Sequence, residues 1–207
     1  MPKVTKVHFE KQRNVIIDAA ISVFCQKGFE LTTMTDVVAA SGLSRGGVYR
    51  YFPNTESMMQ AFLERDLQEG NDYLEQLMHR STMQEALSCY LYEVEKNLDP
   101  SSTIGIAIYE YFIGGYRKAE RKAFLLHRYQ RAQTALCALL AKGVHTGEFH
   151  PQLPIESITR FIINVCDGLY LESQLTSRVE TGSNGQLGSL RLYLTAVLQL
   201  DRPLGSC

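Results

Sequence analysis

The chain has 207 residues, of which 45% are hydrophobic and 21% charged, with a formal net charge of −1. These are the figures of an ordinary globular protein of one or two modules, and they exclude the disordered and collagen-like classes. No apolar run approaches the roughly 18 residues of a membrane span, and charged residues follow the basic N-terminus where a signal peptide would turn apolar. A cytoplasmic protein with no membrane partner is expected. The five cysteines, Cys25, Cys89, Cys137, Cys166 and Cys207, are widely spaced without a Cys-x-x-Cys pair, so they read as unpaired thiols. Charge is uneven along the chain. Residues 1–55 carry seven Lys/Arg against four Asp/Glu, and no acid lies between Asp36 and Glu56 although Arg45 and Arg50 do. A small basic head on an acidic body suits a protein that meets a polyanion at one end.

Apolar residues recur at helical spacing nearly throughout, which predicts an all-α fold of about nine helices. The first runs from about Lys11 to Lys27, where Gly28 stops it. The second covers Met34 to Ser41, with Thr33 as N-cap and Asp36 three residues on. After Gly42-Leu43-Ser44 a third runs from Arg45 to Tyr51 or Phe52, ended by Pro53. A fourth extends from about Asn54 to His79. Five more are expected over Met83–Leu98, Ser102–Tyr116, Ala119–Thr146, Ile155–Thr176 and Gly185–Leu200, separated by Gly/Pro/Ser-rich connectors. This divides the chain into a three-helix head, 1–53, and a larger helical body, 54–207.

Two short helices joined by a turn with Gly42, in a basic and acid-free segment, form a helix-turn-helix candidate. The second of them, Ser44-Arg45-Gly46-Gly47-Val48-Tyr49-Arg50-Tyr51-Phe52, is slim and polar at its start, as a helix entering the major groove must be. Two adjacent glycines in a helix cost roughly 1 kcal/mol each against alanine, a cost that close approach to DNA would explain. Arg45, Tyr49, Arg50 and Tyr51 are residue types that bond phosphates or base edges. Val48 and Phe52 form the apolar anchor.

Residues 10–63 resemble the N-terminal domain of the TetR family of transcriptional regulators. The resemblance rests on Ile17-x-Ala19-Ala20-x-x-x-Phe24, Gly28-Phe29-x-x-Thr32-Thr33, Asp36-Val37-x-x-x-Ser41-Gly42-Leu43-Ser44-Arg45-Gly46 and Val48-Tyr49-x-Tyr51-Phe52. It implies a DNA-binding regulator, a repressor released from a palindromic operator by a ligand, acting as a homodimer. It also implies that Thr33, Ser44, Arg45, Gly46, Tyr49 and Tyr51 stand where the family touches phosphates or bases. Met34, Thr35, Gly47 and Arg50 stand where the family varies and are the expected sequence readers. Two positions depart from the pattern: Gly47 offers no side chain for reading, and Thr55 replaces a usual lysine. An activator, an effector-independent repressor and a non-specific architectural DNA binder remain open alternatives.

For the body, the resemblance implies dimerisation through the last two helices, with Ile158, Ile162, Val165 and Leu169 on one stripe and Leu187, Leu190, Leu194 and Val197 on the other. An ordinary core would show the same stripes. Residues 90–129 hold eight of the twenty aromatics, which suggests an aromatic-lined cavity for a hydrophobic or aromatic small molecule. Tyr90, Tyr109, Glu110, Phe112, Tyr116, His127, Phe161 and Asn164 are its candidate residues. Glu110, the only charge between Asp99 and Arg117, is expected either to face a cationic effector or to pair within its own chain at the junction with the head. His145, Glu148 and His150 fall in a Gly/Pro turn and read as a solvated loop rather than a metal site. No nucleophile–base pair, paired carboxylates, metal-ligand set or phosphate loop appears at usable spacing, so no enzymatic activity, cofactor or metal is expected.

Overall fold

The computed structural model describes residues 6–98, 104–176, 180 and 182–205. Among them the chain forms nine helices: α1 Lys6–Lys27, α2 Met34–Ser41, α3 Arg45–Tyr49, α4 Thr55–Leu77, α5 Met83–Asn97, α6 Ile104–Gly115, α7 Ala119–His145, α8 Ile155–Ser173 and α9 Ser183–Val197. No described helix is long and apolar enough to cross a membrane. The start expected at Ser102 for α6 lies outside the described residues. The first helix begins five residues before the expected Lys11, and the third is shorter than expected.

The helices form two compact units that do not follow the sequential division at residue 53. The first comprises residues 1–66 and 102–119, and the second residues 67–101 and 120–207. Thus α6, although embedded in the body's sequence, belongs with the helix-turn-helix.

In the first unit Ile16, Ile17, Ala20 and Phe24 of α1 are buried with Phe29, Val37, Val48, Phe52, Met58, Met59 and Leu63, and Tyr111 of α6 is fully buried as well. Gly28 ends α1 at φ +77°, a left-handed conformation that a side chain would strain. It also has a neighbour: a Cβ there would stand 2.6 Å from a Glu110 carboxylate oxygen. Helix α2 opens on a reciprocal capping box, in which the Asp36 N–H donates to the Thr33 hydroxyl and the Thr33 N–H to the Asp36 carboxylate.

In the second unit one core takes Leu74 and Leu77 from α4, Met83, Leu87 and Leu91 from α5, Leu136, Leu139 and Leu140 from α7, Ile158 and Ile162 from α8, and Leu190, Leu194 and Val197 from α9. A smaller cluster takes Leu98, Leu169 and Leu187. This corrects the expected dimer stripes. Ile158, Ile162, Leu169, Leu187, Leu190, Leu194 and Val197 are all buried inside their own protomer, and Val165 is half-buried against the same core. Side chains already enclosed have no surface to give a partner. The opposite faces carry the exposed apolar residues: Phe161 and Leu171 on α8, Leu175 just after it, and Leu192 on α9, the last two 76% and 69% exposed.

Glu148 is also not the solvated residue expected. Its carboxylate accepts from the Met83 N–H at 2.6 Å, the Gln84 N–H at 3.1 Å and the Thr146 hydroxyl at 2.9 Å, so it closes the N-terminus of α5 from across the chain. Among the described residues no group of His, Cys, Asp and Glu could hold a metal. Cys25, Cys137 and Cys166 are free thiols. Cys89 is buried in α5. Cys207 lies outside the described residues.

Glu148→Ala leaves two helix N-terminal amides without their acceptor. It should lower the unfolding free energy by about 1–3 kcal/mol, measurable by denaturant melts.

Candidate nucleic-acid interface

Helix α3 is five residues long, too short to hold itself together in water, so its geometry comes from its cap and its packing. Ser44 caps it, its hydroxyl accepting from the Gly47 N–H at 3.1 Å. The chain stays wound past Tyr49, with the N–H groups of Tyr51 and Phe52 both donating to the Val48 carbonyl. Val48 and Phe52 are buried and fix the inner side. Ser44, Arg45, Gly46, Tyr49 and Arg50 face solvent, while Gly47 and Tyr51 are half-buried. The two glycines are not equivalent. A Cβ at Gly46 would meet open space, whereas one at Gly47 would lie 3.2 Å from the Ser44 hydroxyl, crowding the cap.

All eleven residues expected to meet DNA lie in the first unit. Thr35 is exposed on α2 and Met34 half-buried. Thr33 is occupied: its hydroxyl donates to Asp36 at 2.7 Å. Thr55 opens α4 but does not cap it; that role falls to Asn54, whose side-chain oxygen accepts from the Ser57 N–H at 2.8 Å.

Cations in this unit divide by partner. Lys27 sits 2.5 Å from Asp36, Arg65 is 2.9 Å from Asp18 and Lys118 is 3.7 Å from Glu56. Arg45 instead lies over the ring of Tyr49 at 5.3 Å, and Arg13 over that of Phe52 at 5.4 Å. Neither they nor Arg50 has a carboxylate within ion-pair distance among the described residues. The Lys27 ammonium beside Asp36, aided by Thr33, lowers the Asp36 carboxyl to about 2. Sequence reasoning passed over Phe9 and Arg13. Phe9 stacks on Tyr51 with ring centroids 4.5 Å apart.

Glu110 takes the second of its two expected places, at the junction with the head, but its partners are amides rather than a cation. One carboxylate oxygen accepts from the Phe29 N–H at 2.7 Å and from the Glu30 N–H at 3.4 Å. The next residue, Tyr111, meets Phe29 edge-on at 4.9 Å and donates its hydroxyl to Glu56 at 2.7 Å. Two adjacent α6 residues therefore hold the loop before α2 and the start of α4.

The remaining effector candidates divide between the units. Tyr109 and Phe112 meet at 6.5 Å on α6, and exposed Tyr116 carries Arg117 over its ring. In the second unit Phe161 stacks on Tyr193 at 4.6 Å, His127 is exposed, and Asn164 accepts from the Tyr129 hydroxyl at 2.7 Å. Tyr90 lies against Cys166. Burial raises its phenol well above the ordinary value and pushes the Cys166 thiol up to about 12. The same desolvation raises Asp167, with Arg128 pulling it back, although that residue still reaches solvent.

The comparisons agree with this geometry. Residues 16–62 match the family model described as bacterial regulatory proteins, tetR family, and residues 86–181 match that of a tetracyclin repressor-like C-terminal domain. The HTH-type transcriptional regulator YfiR of Bacillus subtilis is 39% identical over 97% of this chain and 98% of its own. The HTH-type transcriptional repressor KstR2 of Rhodococcus jostii is 26% identical over 73% of this chain and 74% of its own. Among solved structures, a SmeT–triclosan complex superposes with a TM-score of 0.72 at 19% identity, covering 91% of this chain and 90% of that one.

Because the Asp36 carboxyl is depressed, its contribution to the α2 cap is complete above the ordinary carboxylate range and fades as pH falls through about 2. Lys27→Ala should move its titration, followed by carboxyl carbon shifts, upward toward the ordinary value.

Proposed function

Because the chain belongs to the TetR family of transcriptional regulators, we propose that it is a repressor which binds a palindromic operator as a homodimer and is released by a small hydrophobic or aromatic effector. The observation that carries the reading is the outer side of α3, where Arg45 and Arg50 stand exposed beside Tyr49, without carboxylate partners among the described residues. Arginine there can bond guanine through both acceptors of its major-groove edge, worth about 1–3 kcal/mol of discrimination, or hold phosphates. Thr35, Met34 and Gly46 complete a surface that a base edge can approach. Ser44 and Gly47 shape the cap, and Thr33 acts through the capping box.

A helix this short gives one protomer little affinity, and two-fold pairing on successive major grooves, about 34–36 Å apart, is the physical remedy. The dimer surface we assign is the outer side of α8 and α9. Phe161, Gly168, Leu171 and Leu175 recur there at steps of seven, three and four, and Gly185, Ser189, Leu192 and Ala196 on α9 at steps of four, three and four. Small residues beside large apolar ones let helices from two protomers approach closely.

For the effector, Tyr90 beside Cys166 and Tyr129 bonded to Asn164 place phenols, a thiol and an amide in the second unit, groups suited to holding a drug-sized aromatic molecule with one or two polar groups. The triclosan bound by SmeT, a protein of the same fold, is of that kind. Release is a population shift, in which effector stabilises a dimer whose recognition helices no longer match the groove spacing. Helix α6 is the natural carrier, since the peptide chain joins both its ends to the second unit while Glu110 and Tyr111 bind it to the first.

A footprint on the DNA flanking the protein's own gene, at two salt concentrations, should reveal a protected palindrome with steep salt dependence; diffuse protection would favour an architectural protein instead. Arg45→Ala with Arg50→Ala should abolish operator binding while sedimentation still reports a dimer. Leu192→Glu should produce a folded monomer; a dimer that survives it would displace the assigned face.

A further inference from the structure

Helix α1 starts at Lys6, ten residues before the stretch matched by the family model, and this added length is packed rather than free. Phe9 and Arg13 are four apart and therefore share one face of the helix. Both rest on the aromatic pair that follows α3, Phe9 on Tyr51 at 4.5 Å and Arg13 over Phe52 at 5.4 Å. The beginning of α1 thus runs beside the end of the recognition helix. Arg13 is half-buried, yet none of its five N–H donors has an acceptor among the described residues, and no carboxylate faces it. The Tyr51 hydroxyl likewise makes no hydrogen bond among them. Partly burying a cation without acceptors is costly unless an anion or water completes it. Lys27, Arg65 and Lys118 in the same unit are each completed by a carboxylate. Arg13, Arg45 and Arg50, which have no carboxylate within ion-pair distance among the described residues, lie on α3, just after it, or against the aromatic pair that follows it.

We propose that Arg13 is a further DNA contact of this protein, its guanidinium held by the Phe52 ring and presented to a backbone phosphate beside the recognition helix. The cation–π seat holds the guanidinium without neutralising it, and its N–H donors keep no acceptor among the described residues, which leaves them available to a phosphate. Phe9 is a positioning residue: its stack on Tyr51 holds the first turns of α1 against α3. The contact is to the backbone, so it adds affinity and register without adding sequence preference. This inference rests on α3 being the recognition helix.

The test uses the full-length protein, a duplex that it selects from random-sequence DNA, and an unselected duplex as control. Affinity is measured by fluorescence anisotropy between 50 and 200 mM salt. Arg13→Ala should weaken both duplexes by the same factor and reduce the salt slope by about one per protomer, with the melting temperature little changed. Arg13→Lys should restore the slope. Arg13→Gln keeps a stem on the ring and removes the charge, so it should lose the slope even if the alanine variant folds poorly. An unchanged slope in the glutamine variant overturns the proposal and leaves Arg13 a packing residue. Unchanged slope with collapse of binding in the Arg45/Arg50 double variant would overturn only this contact, whereas a wild-type protein that selects no duplex would overturn the regulator reading and this inference with it.

Discussion

The carboxylate of Glu110 governs much of how this molecule is put together. It lies against Gly28, accepts the Phe29 N–H at 2.7 Å, and so closes the loop from which α2 and then α3 are hung. The arrangement needs a residue at position 28 that tolerates positive φ and carries no Cβ, and it needs a carboxylate delivered from a helix more than eighty residues away in sequence. Charge-assisted bonds to backbone amides are about twice as strong as neutral ones, and a side chain spent on them is fixed in place. Tyr111, the adjacent residue, extends the hold to Glu56 at the start of α4. The orientation of the recognition element therefore depends on a helix that is not part of it. A regulator has to make such a dependence, because DNA affinity can respond to a distant event only through a physical connection.

The recognition helix itself contributes almost nothing to its own stability. Five residues with two glycines would not stay helical alone. Ser44 closes one end, Val48 and Phe52 bury one side, and the Phe9–Tyr51 stack closes the other end. This distribution frees the outward residues from any structural duty. Among the cations of the unit, Lys27 and Arg65 are matched to carboxylates, whereas Arg13 and Arg45 lie over rings, which hold them without neutralising them.

What could be read from the sequence divides along the range of the forces involved. Local signals gave the stops at Gly28 and Gly42, the Thr33 N-cap with Asp36 three residues on, the Ser44 cap and the Val48–Phe52 anchor, because each is decided within a few residues. Helical periodicity gave the elements but not their partners. On α8 and α9 the most regular stripes, Ile158/Ile162/Leu169 and Leu187/Leu190/Leu194, are the protomer's own core, since a stripe records that a face is buried and not by what. The early start of α1 was missed because Phe9 and Arg13 matter only through Tyr51 and Phe52, some forty residues on. The amide partners of Glu110 and the role of Glu148 were hidden for the same reason. An isolated acid in an apolar or loop setting signals that a partner exists, but an amide at the end of another helix leaves no mark in composition.

Glu110 and Glu148 also show why two carboxylates with similar bonding have different consequences. Each accepts two backbone N–H groups across a long stretch of chain. Glu148 does so within the second unit, at the N-terminus of α5, where the helix dipole adds to the attraction and the result is a stable terminus. Glu110 binds a loop that carries no long helix of its own and leads directly into the helix-turn-helix pair. A small displacement of α6 would lengthen a 2.7 Å bond that has no second carboxylate to replace it, and the strength of such a bond falls steeply with distance and angle. The first carboxylate suits permanence. The second suits a connection that must be able to change, as the proposed release from DNA would require.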